Sequence, residues 1–241
     1  MNVVGFVTAL PAEARTLVRQ RVRFDELVEL PGGHRLIVSG AGPTHAENAA
    51  ARLLEHKVDA LISWGCAAAL APSLNAGDLI LPDHILAPDG NRHAVCPEWH
   101  ERVRKTLAPA LRISTGLLLG SPEIVANAAE KQLLHVTKGA VAVDMESAAV
   151  ASLATAQGLP FLAIRAIADP AGMNLPNSVI AAVDSRGDVK LPKLLGHALA
   201  RPAEFIALAR LGKSFYAAAN TLRRVAHRLG PEFSFMPSAD G

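Results

Sequence analysis

Short apolar runs recur along the chain, bounded by glycine or polar residues, and several give way to stretches whose apolar positions return every three or four residues. The runs "NVVGFVT", "HRLIVSG", "VDALISWG", "GDLILPDHIL", "STGLLLG", "GAVAV" and "FLAIRAIAD" predict strands. "AGPTHAENAAARLLEHK" predicts a helix with Thr44 as N-cap and Glu47 three positions on. A second helix is expected over "SPEIVANAAEKQLLHV", capped by Ser121 with Pro122 in its first turn, and a third over "ESAAVASLATAQG", closed by Gly158. Strands alternating with helices predict an α/β fold, a single domain with a mixed, largely parallel central sheet flanked by helices. After Pro202, the residues Phe205, Leu208, Leu211, Phe215, Ala218, Leu222, Val225 and Leu229 trace one apolar stripe. Arg210, Lys213, Arg223, Arg224 and Arg228 take other positions, so a basic amphipathic helix is expected there. The main domain is drawn over residues 1–185 and this C-terminal helical extension over 186–241.

Composition narrows the picture in three places. Aromatic residues are only 4% of the 241, so Ala, Val and Leu must fill the core. No apolar stretch reaches the ~20 residues that a spanning helix requires. The opening "MNVVGFVTALPAEA" lacks a basic segment and a long apolar one, and reads as a first strand of a cytoplasmic protein. Cys66 and Cys96 show no CxxC or histidine spacing, so neither a disulfide nor a metal is expected. The net charge of +2 conceals an uneven distribution: nine Lys or Arg lie between Arg186 and Arg228, against Asp188 and Glu204. No nucleic-acid partner is expected.

Candidate chemistry collects at strand ends. In "GAVAVDMESAA", Asp144 and Glu146 stand where a buried strand turns into a helix. An acidic first helical turn is favourable by itself, but the carboxyl ends of strands in an α/β sheet are also where ligands bind. "SGAGPTHA" puts Gly40 and Gly42 between strand and helix, yet His45 occupies the third position of a dinucleotide fingerprint, which therefore fails. What survives is an anion or hydroxyl site at a helix N-terminus, or a tight turn that needs glycine. Around Gly65, "SWGCAAALAP" allows close backbone approach to a ligand or tight packing. Asp169 ends the strand in "FLAIRAIADPAG", where it is a turn cap or a site residue. Together with Glu13 of "TALPAEA", these residues would share one rim of the sheet.

The successive motifs "TALPAEA", "GCAAALAP", "GDLILPD", "VDMESAAVA" and "RAIADPA" resemble those of the nucleoside phosphorylase and nucleosidase superfamily, especially the methylthioadenosine and S-adenosylhomocysteine nucleosidases, over residues 3 to 175. The tail from "DPAGMNLPNSVIAAVDSRGDVKLPKLLGHALARPAEF" onward resembles the hopanoid-associated phosphorylases, a branch thought to remove adenine from adenosylhopane. The resemblance implies a nucleoside phosphorylase-like fold and cleavage of an N-glycosidic bond to adenine without a cofactor. It makes Asp169 the acid that protonates the base, Glu146 the carboxylate that grips the ribose hydroxyls, and Glu13 the group that activates water. Met145, Asp144, Val143, Cys66, Ala67, Ala68, Gly42 and Arg165 would line the substrate.

Glu13 argues for hydrolysis, whereas the phosphorylase relationship brings inorganic phosphate in as a co-substrate. Arg15, the Gly40–Gly42 turn and Arg165 are the candidate anion contacts, each with an equally good reading as a solvated or core-paired group. Cys66, Ala67, Ala68 and Ala69 stand where the nucleosidases usually show serine and glycines, and Glu123 stands near an expected purine-stacking aromatic. His84, His93 and His100 flank a predicted loop over the site and read as surface or capping residues. The expected partners are a small-molecule or lipid-linked nucleoside, an anionic membrane surface contacted peripherally, and a second copy in a dimer. Two alternatives stand beside this reading: a nucleosidase for methylthioadenosine or S-adenosylhomocysteine without lipid specificity, and a non-catalytic membrane-associated relative.

Overall fold

The structure, a computed structural model, describes residues 2–176, 178–179 and 202–233. The boundary at 185/186 and the basic residues Arg186, Lys190, Lys193 and Arg201 lie outside the described residues. The elements run β1 (Val4–Thr8), α1 (Pro11–Ala14), β2 (Leu27–Glu29), β3 (Arg35–Val38), α2 (Pro43–Glu55), β4 (Ala60–Ala69), β5 (Leu79–Ile80), β6 (His84–Leu86) and β7 (Arg92–Ala94). They continue with α3 (Pro97–Leu107), β8 (Ile113–Ser114), β9 (Leu117–Gly120), α4 (Ala128–Lys138), β10 (Ala140–Asp144), α5 (Ser147–Ala156), β11 (Phe161–Asp169) and α6 (Pro202–Leu229). The described strands form one mixed, largely parallel sheet, as the alternating pattern predicts.

Two helix starts differ from expectation. The N-cap of α2 is Gly42, not Thr44, because the fixed φ of Pro43 suits the first helical position and Gly42, at φ 101°, supplies the turn out of β3. Helix α4 begins at Ala128 instead of after Ser121, because Asn127 caps it by accepting from the Glu130 N–H at 2.7 Å. The Ser121 hydroxyl is used locally, donating to the Glu123 carbonyl at 2.7 Å. The predicted loop between the histidines is a β6–β7 hairpin followed by α3, whose Trp99, Val103 and Leu107 are four apart and buried.

The placement of the site follows from strand β4. Its first half pairs in parallel with β1 as far as Ser63, and its end pairs with β10 only at Ala68 and Ala69. Strand β11 runs along the other edge from Leu61 to Ala68, with a register shift between Ile167 and Asp169. Between Ser63 and Ala68, β1 has left β4 and β10 has not yet joined it, so the sheet forks.

Helix α6 packs on β11 and α3, and the stripe divides along it. Ala218, Leu222, Val225 and Leu229 are buried in the main core, and Phe233 just beyond meets Phe6 edge-on at 5.0 Å. Thr221 donates to the Gly77 carbonyl at 2.7 Å, and Arg224 to that of Ala110 at 2.7 Å. Phe205, Ile206 and Tyr216 are exposed. Leu222→Ala should therefore lower stability by about 2–5 kcal/mol, and Phe205→Ala by well under about 1 kcal/mol, in denaturant unfolding followed by circular dichroism.

Candidate active site

Helix α1 is short because its function is local. Pro11 opens it, and Glu13, at its third position, folds back so that Oε2 accepts from the N–H groups of Ala9 and Leu10, each at 3.0 Å. Its Oε1 accepts from the Cys66 N–H at 2.8 Å. That N–H is left free by the fork in β4, so the carboxylate closes an otherwise open sheet edge. Burial pushes the Glu13 carboxyl above its ordinary range, against the pull of Arg165 and the three N–H donors.

Arg165 enters from β11, opposite Gly65 of β4 in register. A Cβ on Gly65 would fall 2.5 Å from Glu13 Oε1 and 2.6 Å from Arg165 Nη1, so glycine keeps the fork open for both side chains. The guanidinium is 1% exposed. Its Nη2 lies 2.5 Å from Asp144 Oδ2 and 3.8 Å from Glu146 Oε2, and donates to the hydroxyls of Ser63 at 2.6 Å and Ser147 at 3.0 Å. Asp144 also accepts from the Ser147 N–H and hydroxyl, tying the end of β10 to the start of α5. Glu146 Oε1 accepts from the Gly42 N–H at 3.0 Å. One cation thus faces Glu13, Asp144 and Glu146. Burial, opposed by Arg165 and helped by the charges of Asp144 and Glu13, moves Glu146 up to about 7.

These groups floor a cavity of about 300 Å³ at the carboxyl rim of the sheet. Glu13, Cys66, Ala67, Ala68, Val143, Asp144, Met145, Glu146 and Asp169 line it. Gly42 and Arg165 are not among the lining residues; both act through Glu146 and lie behind it. Arg15 is exposed and lines grooves outside the cavity. The Cys66 thiol is pushed well above its ordinary range by burial and by Glu13, so it stays protonated. The histidines are elsewhere: His93 meets Thr155 at 3.1 Å and His100 the Leu81 carbonyl at 3.0 Å. Among the described residues no group of three or more His, Cys, Asp or Glu is placed to hold a metal ion.

Two residues of the site escape sequence reasoning. Lys131 of α4 is fully buried, with Nζ 2.7 Å from Asp169 Oδ2. The signal was its place three residues before Leu134, which packs on the core. Phe215 of α6 and Glu123 both line the cavity. Ile124, Val125, Leu175 and Val179 make the rest of that wall apolar.

Buried carboxyl groups gathered over one arginine at a sheet fork, with another carboxyl group held by a lysine, line one cavity of an α/β protein. A family model described as the phosphorylase superfamily matches residues 4–200, and the chain belongs to that superfamily. The 5'-methylthioadenosine/S-adenosylhomocysteine nucleosidase from Neisseria meningitidis, in complex with methylthio-immucillin-A, superposes with a TM-score of 0.73 at 19% identity, over 96% of this chain and 100% of that one. The Streptococcus pneumoniae MTA/SAH nucleosidase in complex with 8-aminoadenine gives 0.71 at 21% identity, over 97% and 100%. Futalosine hydrolase of Helicobacter pylori gives 0.66 at 18% identity, over 94% and 97%. These likenesses establish a shared fold.

The raised Glu146 carboxyl ties stability to pH. The folded state holds its proton up to about 7 and the unfolded state only to 4.5, so the native chain binds the extra proton between them. This contribution is complete below the unfolded value and is lost as pH rises through the folded one. The melting temperature should fall from about pH 5 to about pH 7.5, and should fall less in Glu146→Gln, as measured by differential scanning calorimetry.

Proposed function

We propose that this protein hydrolyses the N-glycosidic bond of a 5'-substituted adenosine and releases adenine. The observation that carries the reading is the cavity's charge pattern: carboxylates at Glu13, Asp144, Glu146 and Asp169, and no Lys or Arg among the described lining residues. Such a lining suits a sugar that becomes cationic in the transition state and disfavours a phosphate nucleophile.

In this mechanism Asp169 protonates the adenine ring as the C1'–N9 bond breaks, since the base leaves poorly as an anion. Glu146, anchored by Gly42 and Arg165, grips the ribose hydroxyls and stabilises the positive sugar. Glu13 takes a proton from the water that attacks C1'. Burial raises its proton affinity while three backbone donors keep it in place. Adenine and a 5-substituted ribose are the products, and no cofactor takes part.

The finer proposal is that the 5' substituent is a large apolar one and the substrate adenosylhopane, in hopanoid biosynthesis. The apolar wall of Ile124, Val125, Leu175, Val179 and Phe215 supports it, as does the tail's resemblance to the hopanoid-associated branch. A lipid-linked substrate would bring the protein to an anionic membrane surface, for which α6 offers the exposed Arg210, Lys213, Arg223 and Arg228. Among the described residues no helix is long and apolar enough to cross a membrane.

Asp169→Asn should lower adenine release at least ~10²-fold while the far-ultraviolet circular dichroism is unchanged. Near-native turnover in the folded variant would exclude Asp169 as the acid. In phosphate-free buffer, methylthioadenosine and adenosylhopane assayed side by side should both yield adenine and a free 5-substituted sugar, with kcat/KM higher for adenosylhopane. Strict dependence on phosphate with a sugar 1-phosphate product would make the enzyme a phosphorylase, and preference for methylthioadenosine would remove the lipid assignment.

A further inference from the structure

Lys131 is a fully buried lysine in a chain whose other described lysines are partly or fully exposed. Its Nζ meets Asp169 Oδ2 at 2.7 Å, the Met173 carbonyl at 2.8 Å and the Pro170 carbonyl at 3.3 Å. An ammonium has three N–H donors, and three oxygen acceptors receive them. Lys131 is therefore held as a cation, desolvated and directed at one oxygen of the cavity's isolated carboxyl group. The other oxygen, Asp169 Oδ1, is buried and has no hydrogen-bond partner among the described residues.

This pair is separate from the Arg165 set. Asp144 and Glu146 at the β10–α5 junction are ion-paired with Arg165, and Glu13 on α1 is held by backbone N–H groups. Glu123 also lines the cavity. On α4 itself, Glu130 bonds to Asn127 and His135 to the Ala140 carbonyl. Among the described residues Lys131 is the one that forms an ion pair with Asp169.

We propose that Lys131 is a positioning residue for glycosidic cleavage: by holding Oδ2 of Asp169 it leaves Oδ1 to carry the proton to the leaving base, and its charge stabilises the carboxylate left behind. The inference rests on the reading of Asp169 as the acid. When Asp169 gives up its proton, an anion forms in a desolvated cavity; an ammonium already at 2.7 Å stabilises that anion more than it stabilises the neutral acid. The interaction strengthens along the reaction coordinate and so lowers the barrier. It also opposes burial, which raises the Asp169 carboxyl, and so limits how tightly the acid retains its proton.

The test uses the full chain with methylthioadenosine as probe and the pH dependence of kcat as readout. Lys131→Met should lower kcat at least ~10-fold with KM within ~3-fold, and move the alkaline limb to higher pH, because a carboxyl without its ammonium keeps its proton longer. A purely structural role would lower the amount of active protein and leave the limb in place. Should Lys131→Met fail to fold, Lys131→Gln, which retains donors for the Pro170 and Met173 carbonyls, carries the same expectation. An alkaline limb that coincides with that of the unsubstituted protein, or an unchanged kcat, would overturn the proposal. If Asp169→Asn is itself near-native, the reading of the acid fails; if Asp169→Asn is inactive and the limb does not move, only the role of Lys131 fails.

Discussion

A single buried guanidinium organises this site. Arg165 crosses from β11 over Gly65 to the end of β10, where it pairs with Asp144 and approaches Glu146, with Glu13 beside it. Without the cation, three carboxyl groups in a desolvated fork would repel one another, and the chain between β10 and α5 would have no anchor. With it, the set is stable but short of positive charge. Burial, together with the charges of Asp144 and Glu13, therefore raises the Glu146 carboxyl to about 7, and the stability of the fold becomes linked to the chemistry of the cavity.

The sheet provides the space for this arrangement by failing to be continuous. Strand β4 exchanges β1 for β10 along one edge, and the gap between them is filled by side chains and not by a neighbouring strand. Glu13 makes the hydrogen bond that a strand would have made to Cys66, which is why a catalytic candidate can also be structural. The register shift before Asp169 re-aims the end of β11 toward the same opening.

The two cations act on different carboxyl groups. Arg165 orders the groups proposed to hold the sugar and water, whereas Lys131 addresses the proposed acid alone. The separation would allow the proposed acid and base to coexist within one small cavity, since each environment sets its own proton affinity. Helix α6 adds a third contribution: its buried half completes the core, and Phe215 on its partly buried part closes the cavity wall. Fold stability and ligand shape are thus linked through one helix.

The sequence by itself determined the alternation of strands and helices, because those periodicities are read from neighbours a few residues apart. It also placed Glu146 and Asp169 at strand ends and Glu13 on the same rim of the sheet. The start of α4, expected at Ser121, falls instead at Asn127, the residue whose side chain reaches a helical N–H. Only the tertiary structure decided the partners. Asp144 and Glu146 show no neighbouring cation in the sequence; theirs arrives from another strand, and the Gly42 N–H that holds Glu146 is 104 positions away. Lys131 looks like an ordinary helical lysine until the chain brings the Pro170 carbonyl, 39 positions on, to its ammonium. Charge pairing in a buried site depends on strand order and on what is desolvated together, and neither is written in local spacing.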